Sequence, residues 1–182
     1  RKESSAASDV YKRQFFMLPL AFGLATATRV GNLIGEKDLS QAKFSSKASM
    51  LLCSIIALLT TFVIFNFRND LVALFTTDAV VISLGASLLI FAAIFQLPDA
   101  VQISAVGSLR GFKDTFAPMI LILISYWIIA LPLGYAMTFG LIGDPQGAKG
   151  MWIGMIIGLS VFCLLGILRL NYVIKKYLIS AV

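Results

Sequence analysis

Five stretches of the chain stay apolar for long enough to cross a bilayer as helices, which takes about 20 residues. They run approximately over 15–35, 48–67, 80–109, 116–140 and 150–174. Their apolar character is continuous and lacks strict alternation, which selects helices over barrel strands. Prolines at 19, 98, 118 and 132 lie in or beside these stretches, where proline starts or kinks a helix. Pro98 directly precedes Asp99 and is expected to open the backbone there. The pattern predicts an all-α membrane protein with five transmembrane helices.

The polar connections give an orientation. Lys37, Lys43 and Lys47 follow the first stretch, Arg110 and Lys113 the third, and Arg169, Lys175 and Lys176 lie at or beyond the end of the fifth. The opposite side carries only Arg68 and Lys149. By the positive-inside rule the lysine-rich side is cytoplasmic, as is the C-terminus. Arg29 lies about two turns before the cytoplasmic end of its span and can snorkel to that surface. Locally, 29–43 reads as a helix end, a polar turn and an amphipathic helix opening at Asp38 or Ser40. Outside, Leu71, Val72, Leu74 and Phe75 have the spacing of a short interfacial helix, and Asp78 is placed to cap the helix of the third span.

Composition agrees with the pattern. Of 182 residues, 59% are hydrophobic and only 13% charged, against roughly half and a quarter in soluble domains. There is no histidine, and Cys53 and Cys163 stand far apart within apolar runs. That excludes a Cys/His zinc site and histidine acid–base catalysis, and leaves both thiols as free packing residues. The net charge of +6 is scattered and implies no nucleic-acid partner. Gly35-Glu36-Lys37 is no phosphate loop, so ATP is not the expected energy source. Residues 1–14, RKESSAASDVYKRQ, are polar and end abruptly at Phe15. They lack the apolar core of a signal peptide, and SDVYKRQ resembles a translated sequencing-library adapter. They are expected to be a non-native leader, with 15–182 a partial transmembrane bundle.

Two features stand out within the spans. Gly150, Gly154 and Gly158 form a GxxxGxxxG ridge, the spacing that lets helix backbones approach closely in lipid. Asp99 lies in a run from Val80 to Leu109 that holds no other charged residue. A carboxylate facing lipid is costly, so Asp99 is expected to face the bundle interior or a water-filled cavity. Gln96 and Gln102, three residues to either side, fall on the same helical stripe. With no lysine or arginine in its own span, Asp99 has the character of a group whose partner is an exchangeable proton, metal or organic cation. The competing reading is structural, with Asp99 hydrogen-bonded to Ser125 or Tyr126 of a neighbouring helix.

The segments LPLAFGLATATRVGNLIGEKDLSQAK, FAAIFQLPDAVQISAVGSLRGFKDT and GAKGMWIGMIIGLS resemble the C-terminal half of multidrug and toxic compound extrusion (MATE) transporters, most closely the NorM-type bacterial subgroup. The resemblance runs from Phe15 onward and implies five helices of the C-terminal bundle of a twelve-helix, two-bundle transporter. It implies a cation-coupled antiporter of the bacterial inner membrane, with Na⁺ or H⁺ as coupling ion, no other cofactor, and small cationic organic substrates. Its partners would be membrane lipids and the missing N-terminal bundle. The resemblance makes Asp99 the cation- or proton-binding residue and a Na⁺ ligand. Phe95 stands where family members often carry a tyrosine. On this reading Gln96, Gln102, Phe91, Phe95 and Tyr126 line the cavity, the aromatics meeting flat cations. The rivals are a flippase of lipid-linked saccharides, which would want several basic cavity residues, and a non-transporting membrane subunit.

Overall fold

A computed structural model of the chain describes residues 20–180. The leader and the start of the first apolar stretch lie outside the described residues. Among these, every regular element is helical. Helix α1 covers 20–35. It is followed by α2 (Leu39–Ala73), α3 (Ala79–Gly111), α4 (Phe116–Leu123), a π-helical stretch (Ile124–Ala130), α5 (Leu131–Thr138) and α6 (Ala148–Ser180). The α4–π–α5 run is a single span. Among the described residues, four helices are long and apolar enough to cross a membrane: Leu39–Ala73, Ala79–Gly111, Phe116–Thr138 and Ala148–Ile179.

Helix ends follow local chemistry. Asp38 caps α2 by accepting from the Gln41 N–H at 3.0 Å, and Asp78 caps α3 by accepting from Val80 N–H at 2.9 Å. The turns after α1 and α3 share one design, Gly-x-Lys-Asp, at 35–38 and 111–114. Lys37 (φ 62°) and Lys113 (φ 61°) are both left-handed. In each turn the lysine N–H and the following aspartate N–H return to the helix: Lys37 to Ile34 and Asp38 to Leu33, Lys113 to Arg110 and Asp114 to Leu109. These are the closing bonds of a Schellman cap, here with lysine where glycine is usual.

Two expectations change. The amphipathic opening at Asp38 and the second span are one helix, because nothing between Leu39 and Phe67 interrupts hydrogen bonding. The outer segment around Leu71 is helical, as expected, and is set off from the long helix before it by a kink at Phe67 (φ −108°, ψ 17°), the two pieces running together as α2 to Ala73. Pro98 does not open α3, which runs through it from Ala79 to Gly111. The disturbed span is the one holding Pro132. Its missing N–H and its ring crowd the preceding turn, and the helix upstream is widened, with Leu131 N–H donating to the Tyr126 carbonyl five residues back.

Close approaches between glycines set the packing. A Cβ on Gly154 would collide with Gly134 and the Ala130 carbonyl, one on Gly158 with Ala130 and the Ser125 carbonyl, and one on Gly150 with the Met137–Thr138 peptide. The expected glycine ridge is therefore the seat of the fourth span on α6. A second crossing, Gly107 of α3 against Gly23 of α1, has no counterpart in the sequence reading. Hydroxyls bind α1, α2 and α3 together: Thr26 and Ser49 are hydrogen-bonded at 2.5 Å, and Ser104 donates to Ser49 at 3.4 Å. The best-buried cluster, Val30, Ala42, Leu109, Phe112, Leu170, Val173 and Ile174, surrounds the α3–α4 turn. The exposed row Leu51, Ile55, Leu58 and Phe62 on α2 is a surface fit for lipid.

Candidate functional site

Asp99 sits midway along α3 and is half-buried. Its side chain has no hydrogen bond or ion pair with another described residue. Its carboxyl lies near enough for charge to act on the Tyr126 phenol and the Cys163 thiol. Three elements meet there: α3, the π-helical stretch and α6.

Neither of the two partners expected under a structural role is hydrogen-bonded to Asp99. The Tyr126 hydroxyl donates to Gln102 Oε1 at 3.3 Å. Ser125 Oγ is buried and has no partner among the described residues. Gln96 Oε1 is likewise buried and unpaired. Cys163 donates through Sγ to the Pro98 carbonyl at 2.9 Å, which ties α6 to α3 one residue before the carboxylate. Cys53 and Cys163 are both free thiols, as expected.

A groove of about 480 Å³ opens beside the Tyr126–Gln102 contact, walled by Ile122, Trp127, Ala130, Leu131 and Met155 as well as those two residues. Of the cavity residues expected from the sequence, Gln102 and Tyr126 lie on it. Phe91, Phe95, Gln96 and Asp99 are not on its wall. Phe95 packs edge-on against Trp152, ring centroids 5.9 Å apart. The structure thus gathers Asp99, Gln102 and Tyr126, while Phe95 is packed on Trp152. Cys163, Trp127 and Met155 were missed as neighbours of the site. Nothing in their local sequence distinguishes them from packing residues, since α6 and the π-helical stretch meet α3 only in three dimensions.

No group of three or more His, Cys, Asp or Glu residues that could hold a metal ion occurs among the described residues. Among the described residues, a cation at Asp99 would take its other oxygens from amides, hydroxyls or main-chain carbonyls. One carboxylate with neutral oxygens balances a single positive charge, in a setting where a second uncompensated charge is costly.

Comparisons with known proteins agree with this architecture. The family model described as MatE matches residues 12–136. The multidrug resistance protein NorM of Photobacterium profundum is 40% identical over 160 residues, covering 87% of this chain and 35% of its own length. PmpM of Pseudomonas aeruginosa, also a multidrug resistance protein, is 34% identical over 164 residues, 90% of this chain and 34% of its own. The chain therefore spans about a third of the length of the curated relatives it matches. Among solved structures, an inward-facing multidrug resistance MATE transporter superposes with a TM-score of 0.80 at 19% identity, covering 91% of this chain and 39% of that one. The eukaryotic MATE transporter AtDTX14 gives 0.76 at 22% identity, covering 87% and 36%. At such identities the structural matches speak for the fold, and the family rests on the sequence matches. MATE proteins are transporters, not enzymes, and this multi-pass membrane chain belongs to that family.

Proposed function

We propose that the chain works as part of a cation-coupled antiporter that exports cationic drugs and toxic compounds across the bacterial cytoplasmic membrane, with Na⁺ or H⁺ as the returning ion. The observation that carries this reading is Asp99, an acid in an apolar helix with neither hydrogen bond nor ion pair to a described residue. An uncompensated charge in a span is a functional-site signal, because a purely structural acid would be expected to be paired. The NorM and PmpM relatives supply the multidrug context. The single negative charge, beside the phenol of Tyr126 and the amide of Gln102, suits an exchangeable monovalent cation or proton.

Since the chain spans a third of its relatives, transport would be a property of these helices together with others. Substrate and coupling ion would share a site exposed alternately on either side by rocking of packed helix groups. The basic residues Lys37, Lys43, Lys47, Arg110, Lys113, Lys175 and Lys176 support a cytoplasmic placement of that end and of the C-terminus.

The test uses Asp99→Asn in a form of the protein spanning the full length of its relatives, expressed in a drug-sensitive bacterial host. Loss of resistance to cationic compounds with an unchanged amount of protein in the membrane is expected. Resistance equal to that of the unmutated protein would refute the role given to Asp99.

A further inference from the structure

The hydrogen bond between Thr26 and Ser49 sets the level of α1 against α2. From that contact α1 runs on to the turn at 35–38, and α2 runs back from the same turn. Arg29 lies three residues past Thr26 and Lys47 two residues before Ser49. Both therefore stand about 3–4.5 Å beyond the bond, on the same side of it. Gly111 ends α3 in contact with Ala27 and Val30 of α1, which brings the flanking Arg110 and Lys113 to that depth as well. All four side chains belong to exposed residues, and none has an ion pair or hydrogen bond with a described residue. Arg169, held at the same level by Asp114, is already paired. We propose that Arg29, Lys47, Arg110 and Lys113 form a basic collar that binds the headgroup phosphates of acidic phospholipids in the leaflet at this end of the bundle. The collar depends neither on Asp99 nor on the transport reading.

Helix ends account for only part of the pattern. A cation near a helix C-terminus is favoured by the dipole, which covers Arg110 and Lys113. Arg29 is six residues short of the end of α1, and Lys47 is eight residues past the start of α2, so no dipole end calls for charge at either. The positive-inside rule sets the sign of a side, not a common depth. Farther out, Lys37 and Lys43 are accompanied by Glu36 and Asp38, so unbalanced charge on α1, α2 and α3 is concentrated at the collar. Exposed apolar surface begins about one turn to the other side, with Leu51 and Leu52 on α2 and Phe116 and Ile120 on the fourth span. A lipid phosphate sits at such a border between hydrocarbon and water. Beside Arg29 a groove of about 560 Å³ is lined by Thr28 and Asn32 as well. The guanidinium fork can grip a phosphate there with two parallel bonds, while the lysines act as point charges. Glu36, the acid of that groove, is seven residues on, about 10 Å farther from the bilayer.

The purified chain is reconstituted in vesicles of equal parts phosphatidylglycerol and phosphatidylcholine and extracted in mild detergent at low salt. The lipids that stay bound are counted by native mass spectrometry. Phosphatidylglycerol is expected to exceed phosphatidylcholine about fivefold or more, the gain from one cation near the headgroups, and the excess should shrink as salt is raised. Arg29→Gln, Lys47→Gln, Arg110→Gln and Lys113→Gln combined should bring the ratio close to one. Lys37→Gln, Lys43→Gln, Lys149→Gln and Lys175→Gln combined remove the same charge away from the collar, and should leave the ratio within about twofold of the unmutated chain. Arg29→Gln and Lys47→Gln, made singly, should each lower it, and they decide the matter should the combined collar variant not fold. Equal retention of the two lipids by the unmutated chain, equal losses in the two combined variants, or an unchanged ratio in both single variants overturns the collar.

Discussion

Arg169 of α6 donates through Nε to the Asp114 carboxylate, 2.7 Å away in the turn between α3 and α4. Beside it, the Tyr177 hydroxyl donates to the Phe112 carbonyl at 2.9 Å, and the two rings meet edge-on at 5.4 Å. One turn is thus pinned to α6 twice, over the best-buried cluster of the bundle. The π-helical stretch is held differently, its backbone lying directly against Gly154 and Gly158 of α6.

The ion pair should show in stability. Asp114 is the more enclosed partner, with a side chain 14% exposed against 39% for Arg169, and it also receives the Ala117 N–H at 3.4 Å. Asp114→Ala removes the pair and a helix cap together, and should cost about 1–3 kcal/mol. Arg169→Ala leaves the cap and should cost less. Thermal unfolding of the purified chain in detergent, followed by size-exclusion of the surviving protein, measures both. Equal melting temperatures for Asp114→Ala and the unmutated chain would mean the contact contributes nothing.

The two left-handed lysines make a second comparison. A left-handed non-glycine residue costs roughly 1–2 kcal/mol, so Lys113→Gly should raise stability by up to about 1 kcal/mol after the added freedom of the unfolded chain is counted. Lys113→Val, branched at Cβ, should lower it. Lys37 should respond in parallel, because its turn has the same bonds and nearly the same φ. Opposite signs at the two positions would contradict their equivalence.

Glycines on α6 should not be equivalent. A side chain at Gly154 meets backbone of the facing span, whereas one at Gly166 meets chiefly the Phe162 ring, 3.3 Å away on its own helix. Gly154→Ala should therefore cost about 1–3 kcal/mol or more, as forced overpacking does. Gly166→Ala should be close to neutral, since alanine favours the helix and the ring can yield. The same heating assay separates them, and comparable losses at both positions would remove the ridge from the account.

Asp99→Asn carries a stability signature opposite to that of Asp114→Ala. No hydrogen bond or ion pair to a described residue is lost at Asp99, and a charge in an apolar span is removed. The variant should melt no lower than the unmutated chain, and on the order of 1 kcal/mol higher is expected. A clear drop in melting temperature would show that the carboxylate holds the bundle together, the structural role weighed against exchange at the outset.

Much of the architecture can be read from the residues. Long apolar runs without alternation can only be satisfied in lipid by helices, whose backbone bonds are internal, so the four described spans follow from hydropathy and length. Asp38 and Asp78 act as caps because a short carboxylate next to free N–H groups needs no distant partner. The glycine spacing at 150, 154 and 158 marks a flat helix face whatever covers it.

Tertiary packing settled the rest. Sequence spacing put Gln96, Asp99 and Gln102 on a stripe, but only the meeting of α3 with the π-helical stretch assigned Tyr126 to Gln102 and left Asp99 without a hydrogen bond or ion pair among the described residues. Proline signals were ambiguous in the same way. Pro98 is absorbed in a continuous helix, with its carbonyl taking the Cys163 thiol, while Pro132 lies just beyond a widened turn seated on glycines. Local sequence determines which backbone groups a residue can satisfy. Whether a neighbouring helix brings a donor, a glycine or nothing depends on contacts between positions far apart in the chain, and hydropathy carries no record of those.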